Sequence, residues 1–135
     1  MRVVCDTNVL ISGILFGGKP RELLRLCSSS KVTNVTSPAL LTEVEAVLTR
    51  PKFGLNDEQV YGIIRLFRDT FSLVRPEISL SVITADPDDN RVLETASAAQ
   101  AEAIISGDAH LLDLGQWNGI PVFTPAAFLM EFFAA

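Results

Sequence analysis

Apolar positions along this chain fall into short β-branched runs that alternate with longer stretches of helical period. Arg2–Cys5 (RVVC) reads as a buried strand, since a short continuous apolar run suits a strand covered on both faces. Residues 9–15 predict a helix capped by Asp6 or Thr7 and broken by Gly17-Gly18. Pro20 suits the first position of the next helix, to which Leu23, Leu24, Leu26 and Cys27 give an apolar face. After a serine loop, residues 32–36 predict a second strand. Ser37-Pro38 is a cap followed by proline in the first turn, and its helix runs to about Leu48, where Arg50-Pro51 ends it. Asn56 caps another helix, with Val60, Ile63, Ile64, Phe67 and Phe71 at helical spacing. Leu73-Val74 reads as a short strand and TADPDDN as a turn-rich loop. A helix from about residue 90 to 100, a buried strand at 103–106 and a short helix at Ala109–Leu114 follow. A last strand at 121–123 precedes an apolar helix opened by Pro125.

Strands alternating with helices imply one α/β domain over residues 1–135, a three-layer sandwich around a central, mainly parallel sheet. Ligands in such folds gather at the carboxyl ends of the strands. Composition agrees with a packed core: 48% of residues are hydrophobic and 20% charged, which excludes a disordered chain. No run approaches the ~20 apolar residues of a membrane span. Asp6 interrupts the first apolar run, against a signal peptide. The expectation is a cytoplasmic protein without membrane contact. Cys5 and Cys27 lie within apolar segments and read as inert buried thiols; with no Cys-x-x-Cys pair, zinc is not expected.

A net charge of −5 argues against a protein that simply coats nucleic acid. Its distribution changes that picture. From Asp86 onward the chain has eight acids and one base, Arg91, while the other ten bases lie between Arg2 and Arg75. A phosphate-bearing partner suits the basic half, but an acidic centre repels it unless cations neutralise the carboxylates.

Two acids sit where an α/β sheet places its ligands. Asp6 directly follows the first strand, and Asp108 follows AIISG. Each also suits the N-cap of the next helix. In DPDDNRVLETA, Asp86, Asp88 and Asp89 crowd one helix start; capping and the helix dipole account for one or two of them and leave a surplus that needs a cation or a proton. In the helix SPALLTEVEAVL, Glu43 and Glu45 lie on opposite edges of the buried stripe, and periodicity alone does not choose between them.

Taken in order, VVCDTNVLISGIL, SPALLTEVEAVL, DPDDNRVLETASAAQAEAIISGD and GIPVFTPAAFL resemble the PIN-domain ribonucleases over nearly the whole chain, in particular the bacterial PIN proteins described as toxin components of toxin–antitoxin systems. The resemblance implies a catalytic and metal-binding set of Asp6, Glu43, Asp89 and Asp108, with Glu43 acting directly or through water, and Thr7 and Asn8 as accessory groups. It selects Glu43 over Glu45, and leaves an offset among Asp86, Asp88 and Asp89 open. Many relatives carry a further acid or a lysine after the final Gly-Asp; here the segment reads GDAHLL, with His110, the only histidine.

Such a set implies Mg²⁺ or Mn²⁺, one or two ions, since hard cations take oxygen ligands and a pair ~3.5–4 Å apart serves both attacking and leaving oxygens. Asp6 is then the expected central ligand. The implied substrate is RNA, cut by an endoribonuclease, with Lys19, Arg21, Arg50, Lys52 and Arg91 as candidates to hold the flanking backbone. Tyr61 and Trp117 are candidates for base stacking, although Trp117 in LGQWNGIP better suits packing on the sheet edge. The terminal FLMEFF is core, a dimer face or an antitoxin groove. The implied partners are an antitoxin protein and further copies of this chain, in a homodimer or higher homo-oligomer. Two alternatives remain: a catalytically silent PIN-like module binding RNA or protein, and a phosphohydrolase with an aspartyl nucleophile. The latter lacks its second acid, because Asn8 stands at that position.

Overall fold

A computed structural model describes residues 1–134 of the 135. It is the expected sandwich. A six-stranded sheet has the order β3 (Ser72–Leu73), β2 (Thr33–Thr36), β1 (Arg2–Cys5), β4 (Ala103–Ile105), β6 (Ile120–Phe123), β5 (Gln116–Trp117). All neighbouring pairs are parallel except the last, in which β5 runs antiparallel to β6 at the edge. β1 lies inside the sheet, and its Val3, Val4 and Cys5 are fully buried. That explains its unbroken apolar run, because a strand covered on both faces has no polar side to show.

Helices cover both faces. α1 (Thr7–Leu15), α2 (Gly18–Ser28), α3 (Pro38–Leu48), α4 (Asp57–Thr70) and α7 (Pro125–Phe133) pack with Val3, Cys5, Ala103 and Ile105 around one core. α5 (Asp89–Ala99) and α6 (Ala109–Leu114) cover the other face with Val4, Val35 and Ile104. Fully buried Leu10, Leu23, Leu48, Leu93 and Leu111 anchor these layers, each contributing about 1.5–3 kcal/mol through its burial. α1 and α2 meet closely at Gly13, where a Cβ would stand 2.5 Å from Leu24 Cδ1.

Local signals set most boundaries. Ser37 caps α3 by accepting from the Leu40 N–H, with proline behind it. Asn56 and Gln59 close a reciprocal capping box on α4. Beyond Arg50, the chain makes a short 3₁₀ turn, Pro51–Phe53, and Gly54 leaves it at φ 63°. Cys5 and Cys27 are buried and free, as their apolar settings imply. Burial pushes the Cys27 thiol up to about 12, so it stays protonated and unreactive.

Sequence reasoning missed the edge strand β5, although it placed Trp117 against the sheet edge. Trp117 belongs to this edge strand, packs against the α5 core and donates its indole N–H to Ser97 Oγ at 3.2 Å. The hairpin turns at Asn118-Gly119, with φ of 50° and 79°, and Asn-Gly is itself the strongest short signal for such a turn. FLMEFF divides in α7: Phe128 is fully buried, while Met130 and Phe132 are exposed. Among the described residues no helix is long and apolar enough to cross a membrane.

Candidate metal centre

The order of the strands decides where a site can form. From β1 the chain moves outward to β2 and β3, then returns on the other side of β1 as β4. Between β1 and β4 the loops therefore diverge, which opens a crevice beyond their carboxyl ends. Register levels the two strands: Val3 pairs with Ala103 and Cys5 with Ile105. Asp6 follows one and Ser106 the other, and the Asp6 N–H donates to the Ile105 carbonyl at 3.0 Å.

Asp6 forms the floor of the crevice and is only 4% exposed. Its Oδ1 accepts from the Val9 N–H at 2.9 Å, so it does cap α1. Its Oδ2 accepts from the Ser106 hydroxyl. Burial raises its pKa; the Ser106 and Val9 hydrogen bonds oppose that rise, and the nearby charge of Asp108 adds to it. Each oxygen keeps a second lone pair for another partner.

Ser106 is a residue of the crevice that the sequence reading passed over. While donating to Asp6, its Oγ accepts from the Asp108 N–H at 2.9 Å. One hydroxyl thus fixes both the first acid and the backbone of the last. The available signal was a small hydroxyl residue between a buried strand and an acid, in Ser106-Gly107-Asp108. Asp108 caps the short α6 through Oδ1, which accepts from the His110 N–H at 2.8 Å.

Across the crevice, the loop before α5 and the first residue of that helix deliver two more acids. Its shape depends on Asn90, a buried amide with both ends engaged. Asn90 Oδ1 accepts from the Ile83 N–H at 2.9 Å, and its Nδ2 donates to the Ile83 and Pro87 carbonyls at 2.7 and 3.1 Å. Asp88 is exposed. Asp86 and Asp89 instead join Asp108: the three carboxylates each offer an oxygen, and these oxygens all lie within 4.8 Å of one another. Asp86, which sequence reasoning held only as an offset for Asp89, is thus a member of the cluster in its own right. Asp6 stands outside this triad but close enough for its charge to act on Asp89.

Asp89 carries the strain of this arrangement. Burial, then the charges of Asp108 and Asp86, push its carboxyl up to about 7. Its Oδ2 is buried and, among the described residues, has no hydrogen-bond partner. A buried carboxylate oxygen without a donor is costly. Three hard oxygen donors this close together suit a divalent cation such as Mg²⁺ or Mn²⁺ better than a soft metal.

Glu43 and Glu45 separate clearly. Glu45 is exposed, whereas Glu43 is half-buried and faces the acids. Burial raises the Glu43 pKa, and Asp88, Asp86 and Asp6 add to it. The buried Thr7 hydroxyl lies close enough to favour its charged form, though it completes no hydrogen bond among the described residues. Asn8, the next residue, is exposed. His110 is exposed on α6 and gives only its backbone N–H to the site.

The five candidate bases divide in the same way. Lys19 pairs with Glu22 at 3.5 Å. Arg21 donates to the Gly13 and Ile14 carbonyls at 2.9 and 3.1 Å, tying down the end of α1. Arg91 binds Glu94 at 2.8 Å and the Leu80 carbonyl at 3.2 Å. Arg50 and Lys52 are exposed and, among the described residues, have no acidic partner. Tyr61 is exposed on α4.

Comparison with known proteins identifies the family and the fold. An uncharacterised protein of Methanocaldococcus jannaschii is 31% identical over 144 aligned positions, covering 98% of this chain and 92% of the relative. The fold is similar to a chain in the crystal structure of VapBC2 from Rickettsia felis bound to a DNA fragment from its promoter, with a TM-score of 0.63 at 14% identity, covering 90% of this chain and 97% of that one. The family model for the PIN domain matches residues 2–110, a span that holds every acid of the crevice. PIN domains are in general nucleases. This chain belongs to the PIN domain family.

Proposed function

We propose that this protein is an endoribonuclease that hydrolyses RNA phosphodiester bonds with Mg²⁺ or Mn²⁺, and that it is the toxin of a toxin–antitoxin pair. The observation that carries the metal dependence is the unpartnered, buried Oδ2 of Asp89 inside a group of three carboxylates. Asp86, Asp89 and Asp108 would hold a cation, with Asp6 beneath them able to contribute a further lone pair. Once bound, such an ion supplies Lewis acidity at the phosphate and a water acidic enough to act as hydroxide near neutral pH.

The chain's own groups supply the rest. Ser106 keeps Asp6 and Asp108 at fixed separation. Asn90 holds the loop that carries Asp86. Glu43, raised in pKa and facing the crevice, is suited to orient the attacking water and accept its proton. Thr7, close to Glu43, favours its charged form, and the exposed Asn8 is suited to donate to the phosphate. Without a cation the rim would repel that phosphate.

The VapBC2 likeness in fold supports the toxin reading and an antitoxin partner. The exposed Met130 and Phe132 on α7 support a homodimer or higher homo-oligomer. We place its work in the cytoplasm, alongside the RNA it would cut.

The test is incubation of mixed RNAs with and without Mn²⁺, comparing wild type with Asp6→Asn. Cleavage that needs Mn²⁺ and vanishes in Asp6→Asn supports the proposal. RNA or protein binding that survives Asp6→Ala, with no cleavage under any divalent ion, overturns it in favour of the catalytically silent module.

A further inference from the structure

A second concave surface adjoins the acid crevice and has the opposite chemistry. It is a groove of about 540 Å³ between one side of α1 and the end of α3 with the following 3₁₀ turn. Asn8, Ser12 and Phe16 line one wall, and Arg50, Lys52 and Phe53 the other. No acid lines it. Asn8, two residues after the buried Asp6, lines the end of the groove nearest that acid in the helix.

Phe16 sits at the far end, just past the last turn of α1, and is 69% exposed. Its ring meets only the tilted edge of Phe53, with centroids 6.2 Å apart at 48°. Lys52 Nζ stands 5.0 Å from the Phe53 ring centre, so the cation and the aromatic pair share one rim. From Asn8 to Phe16 is eight residues, a rise of about 12 Å along the helix. A chain whose phosphate lies at the acids would therefore meet two free cations and then an open aromatic face.

We propose that this groove binds the nucleotides next to the scissile phosphate of single-stranded RNA, with Arg50 and Lys52 on the backbone and one base stacked on Phe16. The inference rests on the nuclease reading for its direction but not for its chemistry. Unpaired bases, alternating with phosphates, suit an aromatic face beside cations, whereas a duplex keeps its bases stacked inside. Charge complementarity favours RNA here over an apolar protein segment, which would leave both cations without a partner.

The experiment uses the full chain carrying Asp6→Asn, with Ca²⁺, and a short single-stranded oligoribonucleotide containing 2-aminopurine. Wild-type groove residues should quench the fluorescent base on binding. Phe16→Ala should remove the quench and weaken binding by about ten-fold, within what one stacked base contributes. Arg50→Gln with Lys52→Gln should flatten the plot of log affinity against log salt by about 0.7 per lost phosphate contact. Thermal melting confirms that the exposed substitutions leave the fold intact. Unchanged affinity, quench and salt slope in both variants would overturn the inference. So would variants that bind RNA normally while losing capture of a helical peptide from a neighbouring reading frame. If Mn²⁺ gives no cleavage but Phe16 still quenches a bound base, the nuclease reading fails and the groove stands.

Discussion

The two ends of α1 show how differently this fold treats its charges. At the amino end, Asp6 is buried, capped to the helix and hydrogen-bonded to Ser106. At the carboxyl end, Arg50 and Lys52 stand in solvent beside an exposed Phe16. Acids that must share a cation need fixed separations, so the sheet and its hydroxyls hold them, and burial raises the carboxyls of Asp6 and Asp89 as a result. Cations that track a flexible backbone need only be near it, and long exposed side chains suffice. Rigid burial marks the end where bonds would be broken, and loose exposure the end where a chain would be held.

Disabling one member of the rigid end should have the largest effect. Asp108→Asn keeps an N-cap, since Asn caps as well as Asp does, and so should melt within a degree or two of wild type. Its RNA cleavage should nevertheless fall by more than the roughly 100-fold that loss of a supporting residue costs. If cleavage survives, Asp108 is a cap and nothing more. Ser106→Ala comes next: it leaves every carboxylate in place but frees Asp6 from Asp108, and a loss of about 10- to 100-fold in activity or Mn²⁺ affinity is expected. A rate equal to wild type would show that the separation is set elsewhere.

Asn90→Ala removes three hydrogen bonds and leaves the Ile83 N–H and carbonyl without their partner. Denaturant titration should read a loss of about 1–3 kcal/mol, with weaker Mn²⁺ binding because Asp86 loses its support. The last effect leaves activity untouched and is the pH dependence of the metal-free protein. Asp89 is raised to about 7 when folded against about 3.9 unfolded. The folded state therefore binds its proton more tightly, and that stability is full below about pH 4 and lost as pH rises through 7. In EDTA the melting temperature should fall between pH 5 and 8, and Asp89→Asn or added Mn²⁺ should remove most of the fall. A melting temperature that rises over that range in EDTA would contradict the crowding of carboxylates.

How much of this was legible depended on whether the signal was local. Ser37-Pro38 announces α3, and α6 spans Ala109–Leu114 as its pattern implies, because caps and proline act within one turn. Asp6 and Asp108 were found by the rule for strand ends, a consequence of topology that alternation alone reveals. Glu43 could not be separated from Glu45 by periodicity, since both flank one stripe; which flank meets the crevice depends on how α3 crosses α1 and α5. The membership of Asp86 was hidden for a similar reason, because the loop is shaped by Asn90 reaching back to Ile83. Ser106 was readable as a hydroxyl at a strand end and was passed over in favour of the acid beside it. Among the five bases, sequence counts charge but does not reveal that Arg21 is bound to the carbonyls of α1 and Arg91 to Glu94.

The central claim is that carboxylates distant in the chain share one divalent cation. A crystal of the full chain soaked in Mn²⁺ and measured at the manganese absorption edge tests it most directly. We expect an anomalous peak in contact with oxygens of Asp86, Asp89 and Asp108, above Asp6. A well-ordered crevice with no peak at saturating Mn²⁺, or a peak bound only by surface acids elsewhere, would contradict it.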